Sequence, residues 1–192
     1  GSIFIAGAGV QWLRDRMKFF KKAQETEKII KSLKNNSDVY LVPAFTGLGA
    51  PYWDSNSRGV LSGLTRDTGP KEVIRATVES VAYQTYDLFE AMKHDGLRPR
   101  LVKVDGGMVT NNWFSQFLSD VVNVGVLRPK VQETTALGAA FMAGLQIGVY
   151  KSLKDISKNW ALDKKFSPKM KNNNRSKLLK GWSKAIKRTL IN

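Results

Sequence analysis

Apolar residues recur at helical spacing in long segments of the chain, and short apolar runs bounded by glycine or proline lie between these segments. A 3.6-residue period is typical of amphipathic helices, whereas short apolar runs are typical of buried strands. Helices are therefore predicted over residues 10–17, 24–34, 70–92, 112–121, 133–144 and 172–190. The longest begins at Pro70, a residue that suits the first turn of a helix.

Strands are predicted over residues 39–42, 59–64, 101–104 and 125–129, and residues 2–5 suggest the tail of another strand. A turn is predicted over residues 35–38. Strands that alternate with helices indicate an α/β domain. Ligands of such sheets bind where the strands end, which is where Asp105, Gly106 and Gly107 follow the strand over 101–104.

This strand, glycine turn and helix form the first candidate site. Glycine has no Cβ and allows a backbone to approach a ligand closely. The helix that starts near Asn111 has free N–H groups in its first turn. Most turns of this kind only connect two elements, so the pattern by itself is a weak indication of nucleotide binding.

Two further segments are rich in small residues. The run Ala6-Gly7-Ala8-Gly9 precedes a helix, and it fits tight packing and close approach of a ligand equally well. The helix over 133–144 contains Gly138 and Gly144, each of which costs roughly 1 kcal/mol relative to alanine in a helix interior. Such a cost predicts close contact with another helix or domain.

Composition excludes several kinds of site. The chain has no cysteine and a single histidine, His94. Disulfides, thiolate metal sites and zinc sites built on histidines are therefore excluded. No apolar run has the length of a membrane span, and residues 1–10 lack the basic region of a signal peptide, which favours the cytoplasm.

The net charge of +15 permits two interpretations. Lysine and arginine could bind nucleic-acid phosphates, or they could form an ordinary solvated surface. The lysines are concentrated in residues 18–34 and 151–187, on amphipathic segments, and no nucleic-acid recognition motif accompanies them. We therefore expect a solvated basic surface and no nucleic-acid partner.

Three motifs together resemble a known family. The first is Gly59-x-Leu61-x-Gly63-Leu64 followed by EVIRATVE at 72–79, the second is VPAFTGLGAPYWD at 42–54, and the third is VDGG-x-x-x-NN with ETTALGAA. In their order along the chain, these motifs resemble the C-terminal half of the FGGY carbohydrate kinases. The resemblance implies an actin-like ATPase (ribonuclease H-like) fold with a mixed sheet flanked by helices. It also implies phosphoryl transfer from ATP, with Mg²⁺, to a polyol, and the second motif favours glycerol.

The resemblance also implies nucleotide contacts at Gly7, Gln11, Gly107 and Asn111. Glycine allows close approach, and the two side-chain amides offer both donors and acceptors. One departure is Met108-Val109-Thr110, where the family usually has small residues. The helix over 133–144 is then expected to be an interdomain contact.

The family's phosphate-binding Gly/Thr turn and catalytic aspartate have no counterpart in these 192 residues. We therefore predict no catalytic residue and no metal ligand here, and we assign structural roles to Asp54, Glu79 and Asp105. The chain is expected to be one C-terminal kinase domain over 1–192, with about 151–192 a basic helical tail. It is expected to need an N-terminal catalytic domain for activity, and the full-length protein is expected to be a homo-oligomer.

Two alternatives remain open at this point. The chain could belong to a different sugar kinase of the family, because most polyol contacts are expected outside it. It could also be a non-catalytic module that binds a nucleotide or a protein.

Overall fold

The computed structural model describes residues 3–33 and 38–190. The helices are α1 (Gly7–Asp15), α2 (Glu25–Lys31), α3 (Pro70–His94), α4 (Asn112–Val122), α5 (Thr134–Gln146), α6 (Leu153–Ser157) and α7 (Asn172–Thr189). The helices predicted from the sequence are present, with ends that differ by a few residues. The turn predicted over 35–38 lies, except for Asp38, outside the described residues.

The described strands form two small sheets. β1 (Tyr40–Val42) pairs with β2 (Val60–Ser62) in antiparallel orientation. β3 (Leu101–Lys103) lies parallel to β4 (Gly125–Pro129), which in turn pairs antiparallel with β5 (Leu162–Phe166). The second sheet is therefore mixed.

Helix α3 is the central element of the core. It starts with a cap in which the Glu72 carboxylate accepts a hydrogen bond from the Gly69 amide at 2.9 Å. It packs against α1, α2, α4 and β1. On its buried side the Tyr83 ring stacks on Trp182 of α7, with ring centroids 5.2 Å apart. Helices α1 and α7, from opposite ends of the described residues, therefore both contact α3.

Residues 151–192 include a strand and contribute to the core. Phe166 of β5 and Trp182 of α7 are buried in the same hydrophobic cluster as α3 and α4. The prediction that about 151–192 is a helical tail is therefore wrong over β5, which is a strand. The strand's side chains are exposed and mostly charged up to Phe166, so its stability comes from pairing with β4 and from one buried ring.

One other local prediction is wrong. Residues 4 and 5, suggested as part of a strand, lie in a turn, and residues 3–5 pair with no strand of the described residues. Trp53 is 78% exposed and has a φ of 52°, whereas its neighbour Tyr52 packs against the core. The backbone conformation at Trp53 turns its side chain away from the core that Tyr52 joins.

Candidate functional site

A cavity of about 580 Å³ lies between the start of α1, the start of α2 and the turn that follows β3. Gly7, Gln11, Gly107 and Asn111 all line it. Residues separated by 96 to 104 positions in the sequence thus share one cavity. The other lining residues are Ala6, Val10, Arg14, Ala23, Gln24, Thr26, Glu27, Val78, Asp105, Gly106, Met108 and Thr110.

The glycines around this cavity differ in what the protein itself requires of them. Gly106 has a φ of 86°, a conformation that L side chains rarely adopt. A Cβ added to Gly9 would lie 3.0 Å from the Thr77 methyl group, so Gly9 serves packing. A Cβ added to Gly7 or Gly107 would meet nothing within 4 Å. Neither close packing nor a positive φ therefore requires glycine at positions 7 and 107. The absence of a side chain at these positions leaves open space on the cavity wall.

The Asn111 side chain is held in one orientation. Its Oδ1 accepts a hydrogen bond from the Phe114 amide at 2.9 Å and caps α4. Its Nδ2 donates to Thr26 Oγ1 at 3.4 Å, and that hydroxyl donates to the Ala23 carbonyl at 2.7 Å. Asn111 therefore joins the start of α4 to the start of α2 at the edge of the cavity.

Two charged residues near the cavity were not found from the sequence. Glu27 accepts a hydrogen bond from the Asn112 amide at 3.1 Å, and Arg128 donates to the Val109 carbonyl at 2.7 Å. Their partners are 85 and 19 residues away in the chain. No local pattern predicts such contacts, because they form only when α2, α4 and β4 come together.

Two of the three carboxylates that were assigned structural roles, Asp54 and Glu79, have partners among the described residues. Asp54 accepts hydrogen bonds from the Asn56 and Ser57 amides, at 2.8 and 3.2 Å, and closes its loop. The Ser57 hydroxyl and these amides lower the pKa of Asp54. Glu79 is buried, which raises its pKa, and the guanidinium of Arg75 opposes that change across 2.6 Å. Asp105 lies on the cavity wall.

Within residues 3–33 and 38–190, no three histidine or acidic side chains are grouped as a metal site would require. No helix in the same residues has the length and hydrophobicity needed to cross a membrane.

Helix α5 presents an exposed apolar surface. Met142 is 54% exposed, and Ile147, directly after the helix, is 76% exposed. Gly144 is explained by the Tyr150 ring, which lies 2.8 Å from an added Cβ, whereas Gly138 faces open space. The contact with another domain that was predicted for this helix has no partner among the described residues.

The chain matches the family model described as "FGGY family of carbohydrate kinases, C-terminal domain" over residues 1–147. It is 54% identical over 188 residues to glycerol kinase 1 of Pseudomonas aeruginosa, and 52% identical over 191 residues to a glycerol kinase of Clostridium botulinum. These alignments cover 98% and 99% of the chain. The chain spans 38% of the length of each relative.

Solved structures show the same similarity. The glycerol kinase of Plasmodium falciparum, solved with ADP, superposes with a TM-score of 0.86 at 37% identity, covering all of this chain and 38% of that one. A xylulose kinase of Lactobacillus acidophilus superposes with a TM-score of 0.77 at 24% identity, covering 95% of this chain and 37% of that one, and shows the fold alone. The expected actin-like ATPase fold is confirmed. By sequence and by structure, the chain belongs to the C-terminal domain family of the FGGY carbohydrate kinases.

Proposed function

We propose that this chain is the C-terminal, nucleotide-binding part of an ATP-dependent glycerol kinase, which converts ATP and glycerol to ADP and glycerol 3-phosphate. Its similarity to glycerol kinases along nearly its whole length supports the substrate. The observation that carries the nucleotide role is the cavity that brings together Gly7, Gln11, Gly107 and Asn111.

The cavity fits the nucleoside end of ATP better than its phosphates. At the start of α4, the Glu27 carboxylate accepts a hydrogen bond from the Asn112 amide. The Asn111 side chain accepts a hydrogen bond from the Phe114 amide, and the Asn111 carbonyl accepts one from the Ser115 amide. With these N–H groups taken, the helix start has little capacity to bind an anion. The carboxylate of Glu27 would also repel a phosphate. Adenine and ribose are uncharged and carry polar edges that side-chain amides can recognise.

The chain's own residues then bind and orient the nucleotide. Gly7 and Gly107 let the backbone approach the planar base from two walls of the cavity. Gln11 and Asn111 supply amide groups for hydrogen bonds. Bound ATP supplies the phosphoryl group. We propose Mg²⁺ as a cofactor of the full-length enzyme and name no residue of this chain as its ligand.

The wider setting of the domain is part of the same proposal. We assign 1–192 to the C-terminal kinase domain and the exposed face of α5 to contact with the N-terminal part of the enzyme. A homo-oligomer and a cytoplasmic location are also proposed, the latter because the reaction consumes ATP.

Substitution of Gly107 tests the nucleotide site directly. Since an added Cβ meets no protein atom within 4 Å, Gly107→Val should leave the fold intact. The valine would fill the space that we assign to the nucleotide, so ADP affinity should fall by about tenfold or more, a loss of at least 1.4 kcal/mol. Isothermal titration calorimetry with ADP measures this affinity.

Gly138→Ala is the matched control, because Gly138 also faces open space but lies outside the cavity. ADP affinity should be unchanged in this variant. Equal ADP affinity in Gly107→Val and the unsubstituted chain would rule out the proposed site.

A further inference from the structure

We propose that Glu27 and Arg128 are positioning residues, which together hold the segment 107–112 in the shape that nucleotide binding requires. This inference rests on the proposed function. It assigns to these two residues a role beyond contact with the nucleotide, since each acts on the backbone that carries Gly107 and Asn111.

Glu27 holds the amide side of the segment. It lies on α2, and its Oε2 accepts a hydrogen bond from the Asn112 amide at 3.1 Å. Its Oε1 accepts from Lys31 Nζ at 2.5 Å, so the carboxylate is oriented from its own helix. Burial acts to raise the pKa of Glu27, but the hydrogen bonds from Lys31, Asn112 and Trp113 lower it overall. The lowered pKa favours the ionised carboxylate of Glu27, which accepts hydrogen bonds more strongly than the neutral carboxyl group does.

Arg128 holds the carbonyl side of the same segment. It lies on β4 and is only 8% exposed. Its Nη1 donates to the carbonyls of Val109 and Thr110 at 2.7 and 3.3 Å, and its Nη2 donates to Asn112 Oδ1 at 3.2 Å. Nε pairs with Asp163 Oδ2 on β5 at 2.6 Å. The planar guanidinium thus bonds the segment and the sheet at once, which a lysine cannot do.

These contacts account for the backbone polar groups at the tightest part of the segment. The carbonyls of Val109 and Thr110 accept hydrogen bonds from the cationic Arg128 on β4, and the Asn112 amide donates to the anionic Glu27 on α2. Two opposite charges on separate elements therefore fix the orientation of this backbone segment. The 3₁₀ turn Gly107–Thr110 has hydrogen bonds of its own, since the Val109 and Asn111 amides donate to the Gly106 and Met108 carbonyls at 3.3 and 3.2 Å and the Ser115 hydroxyl donates to the Val109 carbonyl at 3.1 Å. Glu27 and Arg128 add the contacts that tie this turn to α2 and to the sheet. Loss of either side chain should let the turn shift and misplace Asn111.

The test compares ADP affinity and local amide exchange in four variants. Glu27→Ala removes the acceptor, whereas Glu27→Gln retains an acceptor oxygen. Arg128→Lys keeps the positive charge but loses the fork of donors. Arg175→Ala is the matched control, because Arg175 donates to the Val121 carbonyl at 2.9 Å, at the opposite end of α4.

We expect Glu27→Ala and Arg128→Lys to weaken ADP binding by about tenfold, the effect of losing a hydrogen bond to a charged group. Glu27→Gln should weaken it by less than about threefold, since one acceptor remains. By NMR, without nucleotide, the Asn112 amide should exchange faster in Glu27→Ala and at the original rate in Arg175→Ala. Unfolding in urea gives the stability of each variant.

The outcomes separate this inference from the proposed function. A chain that binds no ADP before any substitution contradicts the proposed function. Unchanged ADP affinity in Glu27→Ala and Arg128→Lys, in a chain that does bind ADP, contradicts only the positioning role. The role is also overturned if Arg175→Ala weakens ADP binding as much as Arg128→Lys does at an equal loss of stability, because the effect is then a general consequence of a looser fold.

Discussion

At the residue scale, Asp87 is a partly buried carboxyl on the part of α3 that faces the loop over 45–56. The Trp182 indole N–H donates to its Oδ2 at 2.7 Å, and the Tyr52 hydroxyl also bonds to it. Burial raises its pKa to about 6, against the partial opposition of these two hydrogen bonds. One carboxyl thus links the loop, the central helix and the last helix.

The raised pKa of Asp87 predicts how stability changes with pH. Because the folded protein binds this proton more tightly than the unfolded chain, its contribution is fully present below about pH 4 and is lost as the pH rises to about 6. Asp87→Asn should remove this dependence while keeping an acceptor for Trp182. Relative to the parent chain, the variant should gain about 2 to 3 kcal/mol in unfolding free energy between pH 4 and pH 7.

Urea unfolding at several pH values measures this difference. Asp95→Asn, at an exposed position just after α3, is the control and should show no comparable change between pH 4 and pH 7. A constant difference between Asp87→Asn and the parent chain across this range would contradict the interpretation.

At the scale of elements, the same residue type has opposite roles in α5 and α7. Gly138 in α5 faces open space, whereas a Cβ on Gly181 in α7 would overlap the ring of Tyr40. Tyr40 lies on β1 and is buried, so it cannot move away freely. Glycine at 181 is therefore what lets α7 lie directly on β1.

Alanine substitution at these two glycines should change stability in opposite directions. Gly138→Ala should stabilise the chain by up to about 1 kcal/mol through helix propensity. Gly181→Ala should destabilise it by about 1 to 3 kcal/mol, because the added methyl overpacks the contact with Tyr40. Thermal and urea unfolding measure both changes, and stabilisation by Gly181→Ala would show that α7 does not lie as close to β1 as described.

The elements that could be predicted from the sequence are those with a local cause. Helix α3 has a proline at its start, a regular apolar stripe and Gly96 just beyond its end, and the glycine turn after β3 is marked by its own composition. Strand β5 has no such signal, since LDKKF is mostly charged. The four predicted nucleotide contacts came from a family resemblance. Glu27 and Arg128 could not be found from the sequence, because contacts between distant elements define their roles.

At the scale of the whole molecule, the exposed apolar face of α5 and the open cavity are the two features that the proposed function assigns to contact with the rest of the kinase. Contiguous apolar surface on a folded domain marks an interaction site. The described residues offer no occupant for this face, and the relatives are more than twice as long as the chain. Under the proposed function, the rest of the kinase would close the cavity over the nucleotide.

A chimera tests this assignment. The part of the Pseudomonas aeruginosa glycerol kinase that precedes its matched segment can be joined to this chain, which is 54% identical to the segment it replaces. We expect the chimera to form ADP in a glycerol-dependent manner and the 192-residue chain alone to form none. Gly107→Val in the chimera should abolish most of that activity. An inactive chimera that is folded and binds ADP would show that this chain is not a competent kinase half.

Most of the cavity wall comes from two stretches of chain, over 6–27 and 105–111, and Val78 of α3, which lies between them in the sequence, completes the lining. Closing so long a segment of chain costs conformational entropy that few local contacts offset early in folding. Under the proposed function, a nucleotide that binds only when both walls have met is a ligand of the folded state alone, and it should add to the stability of the entire domain. The fraction of this chain that resists unfolding and proteolysis should accordingly follow the concentration of free nucleotide around it.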